Sequence, residues 1–287
     1  MIPHHPDTAP LSLDQRPLLH PPFQKVGSGI SEFTFAGLYL FRRTYGYRVS
    51  DLGDGLYAFC GDGKFGPFFL LPFGLPGRDL MRDLFSSHGY LKCVAEEQTD
   101  ALRGQGYAVE EDRDNFDYLY SREELAHLPG RKFHKKKNLV SAFIKNYTYE
   151  GKPLSQDLVP AAVDILERWH AAHETNADYG PAREALDRME ALEQCGGIYF
   201  VDGKPAAYSL GEENALGTSF ILHFEKAVPG YKGLYQFANQ CFAAILPDKY
   251  KVINREQDLG DDGLRQAKES YRPIGFVKKY TAHPSDR

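Results

Sequence analysis

Charged and glycine-bearing residues gather at four places in the chain where chemistry is possible. Ile253-Asn254-Arg255-Glu256-Gln257-Asp258-Leu259-Gly260 is a short apolar strand running into polar side chains, and strand ends in an α/β sheet are where sites tend to form. Glu256 or Asp258 could bind an amine or accept its proton, since a general base needs reach and a suitable pKa, while Arg255 and Lys268 could hold phosphate or carboxylate. The plain alternative is a solvated loop with helix-capping acids. In His223-Phe224-Glu225-Lys226, strand alternation sends His223 and Glu225 to one face and Phe224 and Lys226 to the other. Glu225 is the preferred general base, with an inert surface-strand carboxylate as the alternative. In Pro229-Gly230-Tyr231-Lys232-Gly233-Leu234-Tyr235, two glycines permit close backbone approach, Lys232 adds charge and the next helix presents its N–H groups. That is either a phosphate-holding turn or a loop that merely turns the chain. Finally, Arg131, Lys132, Lys135, Lys136 and Lys137, together with His134, form a basic run. It is either a patch for a phosphate-bearing ligand such as a tRNA acceptor stem, a coenzyme or a lipid head group, or a solvated helix face.

The elements that must carry these residues follow from periodicity. After a loose Pro-rich extension, Ser31–Tyr45 predicts a helix capped by Ser31. Runs at 47–52, 56–60 and 65–71, parted by Gly53-Asp54-Gly55 and Gly61-Asp62-Gly63, predict an antiparallel meander. A helix at 78–87, a strand at 91–95, a short helix at 98–104 and strands at 107–111 and 116–120 follow, then a long bridging helix at 131–147. The pattern restarts with an amphipathic helix at 157–174, on whose stripe Trp169 packs beside surface His170 and His173, and with a second helix from Pro181. Strands at 198–201, 206–210 and 218–227, a helix at 234–246, a strand at 251–254, a helix at 261–270 and one closing strand at 276–280 complete it.

Composition sets bounds on function. With 287 residues, 42% hydrophobic and 25% charged, the chain has enough length for two cores. A net charge of -5 argues against a surface that is wholly an electrostatic footprint for nucleic acid. No stretch approaches the roughly 20 apolar residues that span a bilayer, and residues 1–10 lack the marks of a signal peptide, so the expected compartment is the cytoplasm. Cys60, Cys93, Cys195 and Cys241 form no CxxC pair and read as reduced core thiols, and no spacing supports a metal site.

The order of elements in each half is that of the acetyltransferase (GNAT) fold. The fold class is therefore α/β (α+β), with two tandem GNAT-like domains of mixed sheets flanked by helices: an extension at 1–30, an N-terminal domain at 31–150 and a C-terminal domain at 151–287. Three segments carry a closer likeness: LPGRKFHKKKN at 128–138, FEKAVPGYKGLYQFANQ at 224–240 and INREQDLGDDGLRQAKESYRP at 253–273. They resemble the bacterial family that shares its domain with the C-terminal part of the phosphatidylglycerol lysyltransferases, over about residues 31–280. The resemblance implies a relative of the peptidoglycan-bridge aminoacyltransferases, with aminoacyl-tRNA as donor and a lipid, peptide or small-molecule acceptor, and it implies that Lys268 contacts a phosphate. Two departures from the family pattern are expected: no counterpart of the lysyltransferases' membrane-spanning part, and no helical arm for tRNA like that of the peptidoglycan enzymes. The expectation is direct acyl or aminoacyl transfer, with aminoacyl-tRNA or acyl-coenzyme A as donor and no required cofactor. The rival is a GNAT-like module without chemistry that binds RNA or another anion through 131–137.

Overall fold

The computed structural model describes residues 1–173 and 178–285. Six strands come first: β1 (Ala9–Pro10), β2 (Arg48–Gly53), β3 (Leu56–Gly63), β4 (Gly66–Leu70), β5 (Tyr90–Val94) and β6 (Tyr107–Glu111). The next seven are β7 (Asp117–Ser121), β8 (Tyr149–Pro153), β9 (Cys195–Val201), β10 (Lys204–Asn214), β11 (Ser219–Ala227), β12 (Val252–Asn254) and β13 (Gly275–Val277), and β14 (Tyr280–Pro284) closes the chain. The helices that matter below are α1 (Arg16–Phe23), α2 (Phe35–Leu40), α3 (His134–Asn146), α4 (Val159–Ala171), α5 (Tyr179–Asp187), α6 (Leu234–Ile245) and α7 (Asp262–Glu269).

The strands form two seven-stranded sheets, ordered β1-β2-β3-β4-β5-β14-β6 and β13-β7-β12-β11-β10-β9-β8. Each contains an antiparallel meander whose last strand acquires a parallel neighbour across a helical connection: β4 beside β5, and β11 beside β12. The predicted mixed sheets flanked by helices are therefore present, in tandem.

The partition between the sheets differs from a cut at residue 150. β7, from the first half of the chain, pairs with β12 and β13, and β14, the last strand, pairs with β5 and β6. The expected single closing strand at 276–280 is thus two strands in two sheets, divided at Lys278-Lys279. The reason is at Lys279: its fully buried ammonium donates to Asp117 Oδ1 at 2.6 Å, to Ser31 Oγ at 3.3 Å and to Glu32 Oε2. Asp117 opens β7, so this ion cluster lies where both chain segments cross from one sheet to the other.

Ser31 serves that cluster and does not cap a helix. Its N–H and Oγ both donate to Asp117 at 2.8 Å, and the cap of α2 is Thr34, whose Oγ1 accepts from Gly37 N. The Pro-rich extension is also packed. β1 pairs with β2, α1 buries Leu19 and Phe23, and the Phe23 ring lies 4.6 Å from Phe73 and 5.6 Å from Phe59. Of the cysteines, Cys60 and Cys93 are buried as expected, Cys241 is half-buried and Cys195 is exposed at the start of edge-proximal β9. The final residue of the helix expected at 157–174 lies outside the described residues.

Because Phe23 is in the main core, Phe23→Ala should lower the unfolding free energy by about 3–5 kcal/mol in urea titration. A loose extension would show a change within about 0.5 kcal/mol.

Candidate functional site

β11 and β12 run parallel for only three residue pairs, Ser219–Val252, Phe220–Ile253 and Ile221–Asn254. Asn254 ends the ladder. Its side-chain amide donates to Asp117 Oδ2 at 3.1 Å and to Gly29 O at 3.0 Å, and its Oδ1 accepts from Glu256 N at 2.8 Å, with Glu256 at a φ of +57°. The following residues stay with β7, where Arg255 N donates to Tyr118 O, but leave β11. A cavity of about 670 Å³ occupies the gap, walled by residues 222–226 of β11, by Arg255–Gln257 and Lys268, and, from the first sheet's side, by Ser31, Glu32, Tyr45 and Lys92.

A β-bulge shapes the β11 wall. Leu210 pairs with Phe224 while its neighbour Gly211 pairs with Leu222, so His223 is the extra residue. Strict alternation fails there: His223, Phe224, Glu225 and Lys226 all line the cavity. His223 is buried and bridges two carboxylates, Nδ1 to Glu256 Oε1 at 2.7 Å and Nε2 to Glu212 Oε1 at 2.8 Å. Burial alone would lower its pKa, but the Glu256 and Glu212 carboxylates outweigh burial and raise it to about 10, so the ring is an imidazolium.

The other charges divide into paired and unpaired. Arg255 Nη2 donates to Glu225 Oε1 at 3.1 Å, and Asn239 Nδ2 donates to Glu225 Oε2 at 3.2 Å, so both oxygens of the expected base are engaged. Lys268 Nζ donates to the backbone carbonyls of Arg255 and Glu256, just beyond the end of β12, and the Glu256 carbonyl also accepts from Tyr118 N of β7. Burial and then repulsion from Arg255 lower its pKa to about 8. Lys136 sits 3.9 Å above the Tyr271 ring and is lowered by the same two causes. Neither lysine has an ion-pair partner among the described residues.

The expected site residues therefore separate. Glu225, Glu256, Arg255, Lys268, Tyr235 and Lys136 meet in the cavity. Asp258 does not: it is fully buried and accepts from Tyr118 Oη, Arg265, Arg113 and Gly260 N, and these donors overcome burial and hold its carboxyl well below the usual range. With its lone pairs so occupied it braces α7 and cannot serve as a base. Gly230 and Lys232 are exposed outside the cavity. Gly233, at a φ of +89°, is set by packing: a Cβ there would lie 2.4 Å from Leu139 O of α3. Lys132 pairs with Glu124 at 2.6 Å, and Arg131, His134, Lys135 and Lys137 are exposed, leaving Lys136 as the member of the basic run that enters the cavity.

Some of the site was not foreseen. Trp169 and His173, read as packing and surface residues, line the cavity, as do Glu32 and Lys92 from the other half. The residue types Glu32-Phe33 and Lys92-Cys93 carry no local signal; only the fold brings them here. Among the described residues no His, Cys, Asp and Glu group could hold a metal ion, and no helix is long and apolar enough to cross a membrane.

Two meander sheets, each with one parallel pair, the second of which parts after three residue pairs, define a tandem GNAT-like fold. The chain belongs to the family described as phosphatidylglycerol lysyltransferase, C-terminal, which matches residues 23–283. A conserved protein of unknown function from Bacteroides thetaiotaomicron superposes with a TM-score of 0.87 at 28% identity, covering 99% of this chain and 100% of that one. L-PGS from Bacillus licheniformis shares the fold, with a TM-score of 0.60 at 15% identity over 100% of this chain and 95% of that one. An uncharacterized protein of Mycoplasmoides gallisepticum is 26% identical over 177 residues, 57% of this chain and 54% of the relative, so the match spans about half of that protein's length.

The bridged imidazolium gives a pH prediction. A folded-state pKa raised to about 10 stabilises the fold fully below the ordinary histidine value of about 6.5, and the contribution is lost as pH climbs from there to about 10. His223→Gln should remove a fall on the order of 4 kcal/mol over that window, read as the difference between wild type and variant so that the opposite contribution of Lys268 cancels. Parallel stability curves for the two proteins would show that the ring is not held charged.

Proposed function

We propose that the chain transfers an aminoacyl or acyl group from an activated ester or thioester to an amine or hydroxyl acceptor inside the cavity. The observation that carries this reading is the opening between β11 and β12, with Lys268 at its edge. Membership in the phosphatidylglycerol lysyltransferase C-terminal family supports aminoacyl transfer as the class of reaction.

The chemistry is a direct displacement. The acceptor's nitrogen or oxygen bonds to the donor's carbonyl carbon, the bond from that carbon to the leaving oxygen or sulfur breaks, and no covalent enzyme intermediate is needed. The acceptor must lose a proton. As a neutral amine, Lys268 keeps two N–H groups for the Arg255 and Glu256 carbonyls and has a lone pair for that proton, and its lowered pKa suits the task near neutrality. Glu225, whose oxygens are occupied, positions Arg255. Lys136 and Arg255 converge on Tyr271 and offer a place for a phosphate of the donor. Because Gly233 is packed against α3 and Leu234 N donates to Tyr231 O, the amides that could steady the developing oxyanion are those of Tyr235 and Gln236 at the start of α6, two residues that border the cavity.

The test pairs a donor screen with kinetics. Purified protein is supplied with aminoacyl-tRNA or acyl-coenzyme A and a mixture of amine and hydroxyl acceptors, and release of uncharged tRNA or free thiol is followed. With the productive donor, the rate should rise with pH along a limb near pH 8, and Lys268→Met should lose about 10²–10⁴-fold in kcat and the limb with it. Turnover that survives Lys268→Met with an unchanged pH profile rejects Lys268 as the base. Absence of release from every donor rejects the transferase reading.

A further inference from the structure

One stretch of the cavity wall takes no part in the proposed transfer. Trp169 on α4, Lys226 on β11 and Asp178, just before α5, all line the cavity. The Lys226 ammonium lies 3.6 Å from the centroid of the Trp169 ring and 2.5 Å from Asp178 Oδ2, and its side chain is only 7% exposed. An aromatic face joined to a carboxylate is the combination that recognises an ammonium ion, the indole quadrupole attracting the charge and the carboxylate taking its N–H. Here the ammonium belongs to the chain itself. Its tether gives it a high effective concentration at that spot, so a free cation must displace it or sit against it and be repelled.

We propose that Lys226 is a specificity-determining residue: it is the resident occupant of an ammonium site built from the Trp169 face and the Asp178 carboxylate, and it closes this part of the cavity to ligands with a cationic side chain. Groups seated against Trp169 are neutral or anionic. The inference rests on the cavity being a ligand site, but not on transfer taking place there.

The sequence contains one tryptophan, so intrinsic fluorescence reports on this wall directly. The probe is n-butylammonium, a replica of the lysine side chain, titrated at constant ionic strength. Lys226→Ala should show a saturable change in Trp169 fluorescence at a concentration at least tenfold below any response of the wild type. Lys226→Met, which fills the space without charge, and the Lys226→Ala/Asp178→Asn double variant should both lose it. A wild type that titrates like Lys226→Ala, or a Lys226→Ala protein that unfolds cooperatively yet gives no saturable change, overturns the proposal. The wild type supplies a reading that needs no variant: n-butyrate should perturb Trp169 at concentrations at least tenfold below those n-butylammonium needs, and an equal or reversed order also overturns it. Since no donor is present, failure of the transfer reaction would leave these results unaffected.

Discussion

The structure depends on one buried ammonium. Lys279 lies with no exposure at the point where the chain passes between sheets, and burial of such a charge is costly unless anions meet it. Asp117 and Glu32 do so, outweighing burial and keeping the lysine charged. Burial would raise the Glu32 carboxyl, but Lys279 overcomes this and holds it below its ordinary value. The same cluster reaches both walls of the cavity: Asp117 accepts from Ser31, whose neighbour Glu32 lines it, and from Asn254, whose Oδ1 holds the backbone N–H of Glu256 where the chain parts from β11. Removing one partner leaves an uncompensated charge in the interior, so the crossover and the shape of the cavity stand or fall together.

Much of the fold was legible because it rests on local pattern. Gly53-Asp54-Gly55 marks a hairpin, and α3, α4 and α6 have apolar stripes that their helical period displays. What was missed depends on distant partners. Strand propensity at 276–280 cannot reveal that Lys279 must meet Asp117, and Ser31 looks like any helix cap until that carboxylate is placed beside it. The packed extension was misread because proline content suggests looseness, whereas Leu19 and Phe23 supply the apolar area that anchors it.

The site shows the same division. A cluster of polar residues at 253–260 was recognisable, but which member was free could not be known from type alone. Asp258 and Glu256 are two residues apart, yet one is saturated by two arginines, a tyrosine and a backbone amide while the other lines the cavity and meets His223 through one oxygen. Glycine at 233 signals close approach of a backbone, and the backbone proved to be that of α3. The bulge at His223 broke the alternation on which the two-face reading relied, because one inserted residue re-aims every side chain beyond it. Fold alone does not establish chemistry, and the functional reading rests on the opening between β11 and β12 with Lys268 at its edge.

The most direct measurement is the structure of a complex with a donor analogue in which an amide replaces the ester between an amino acid and a terminal adenosine. The account predicts the analogue between β11 and β12, its carbonyl oxygen towards the Tyr235 and Gln236 amides and its carbonyl carbon on the side of Lys268, where an acceptor would give up its proton. An analogue bound instead against the exposed face that bears Arg131, Lys135 and Lys137, with the cavity unfilled, would contradict it.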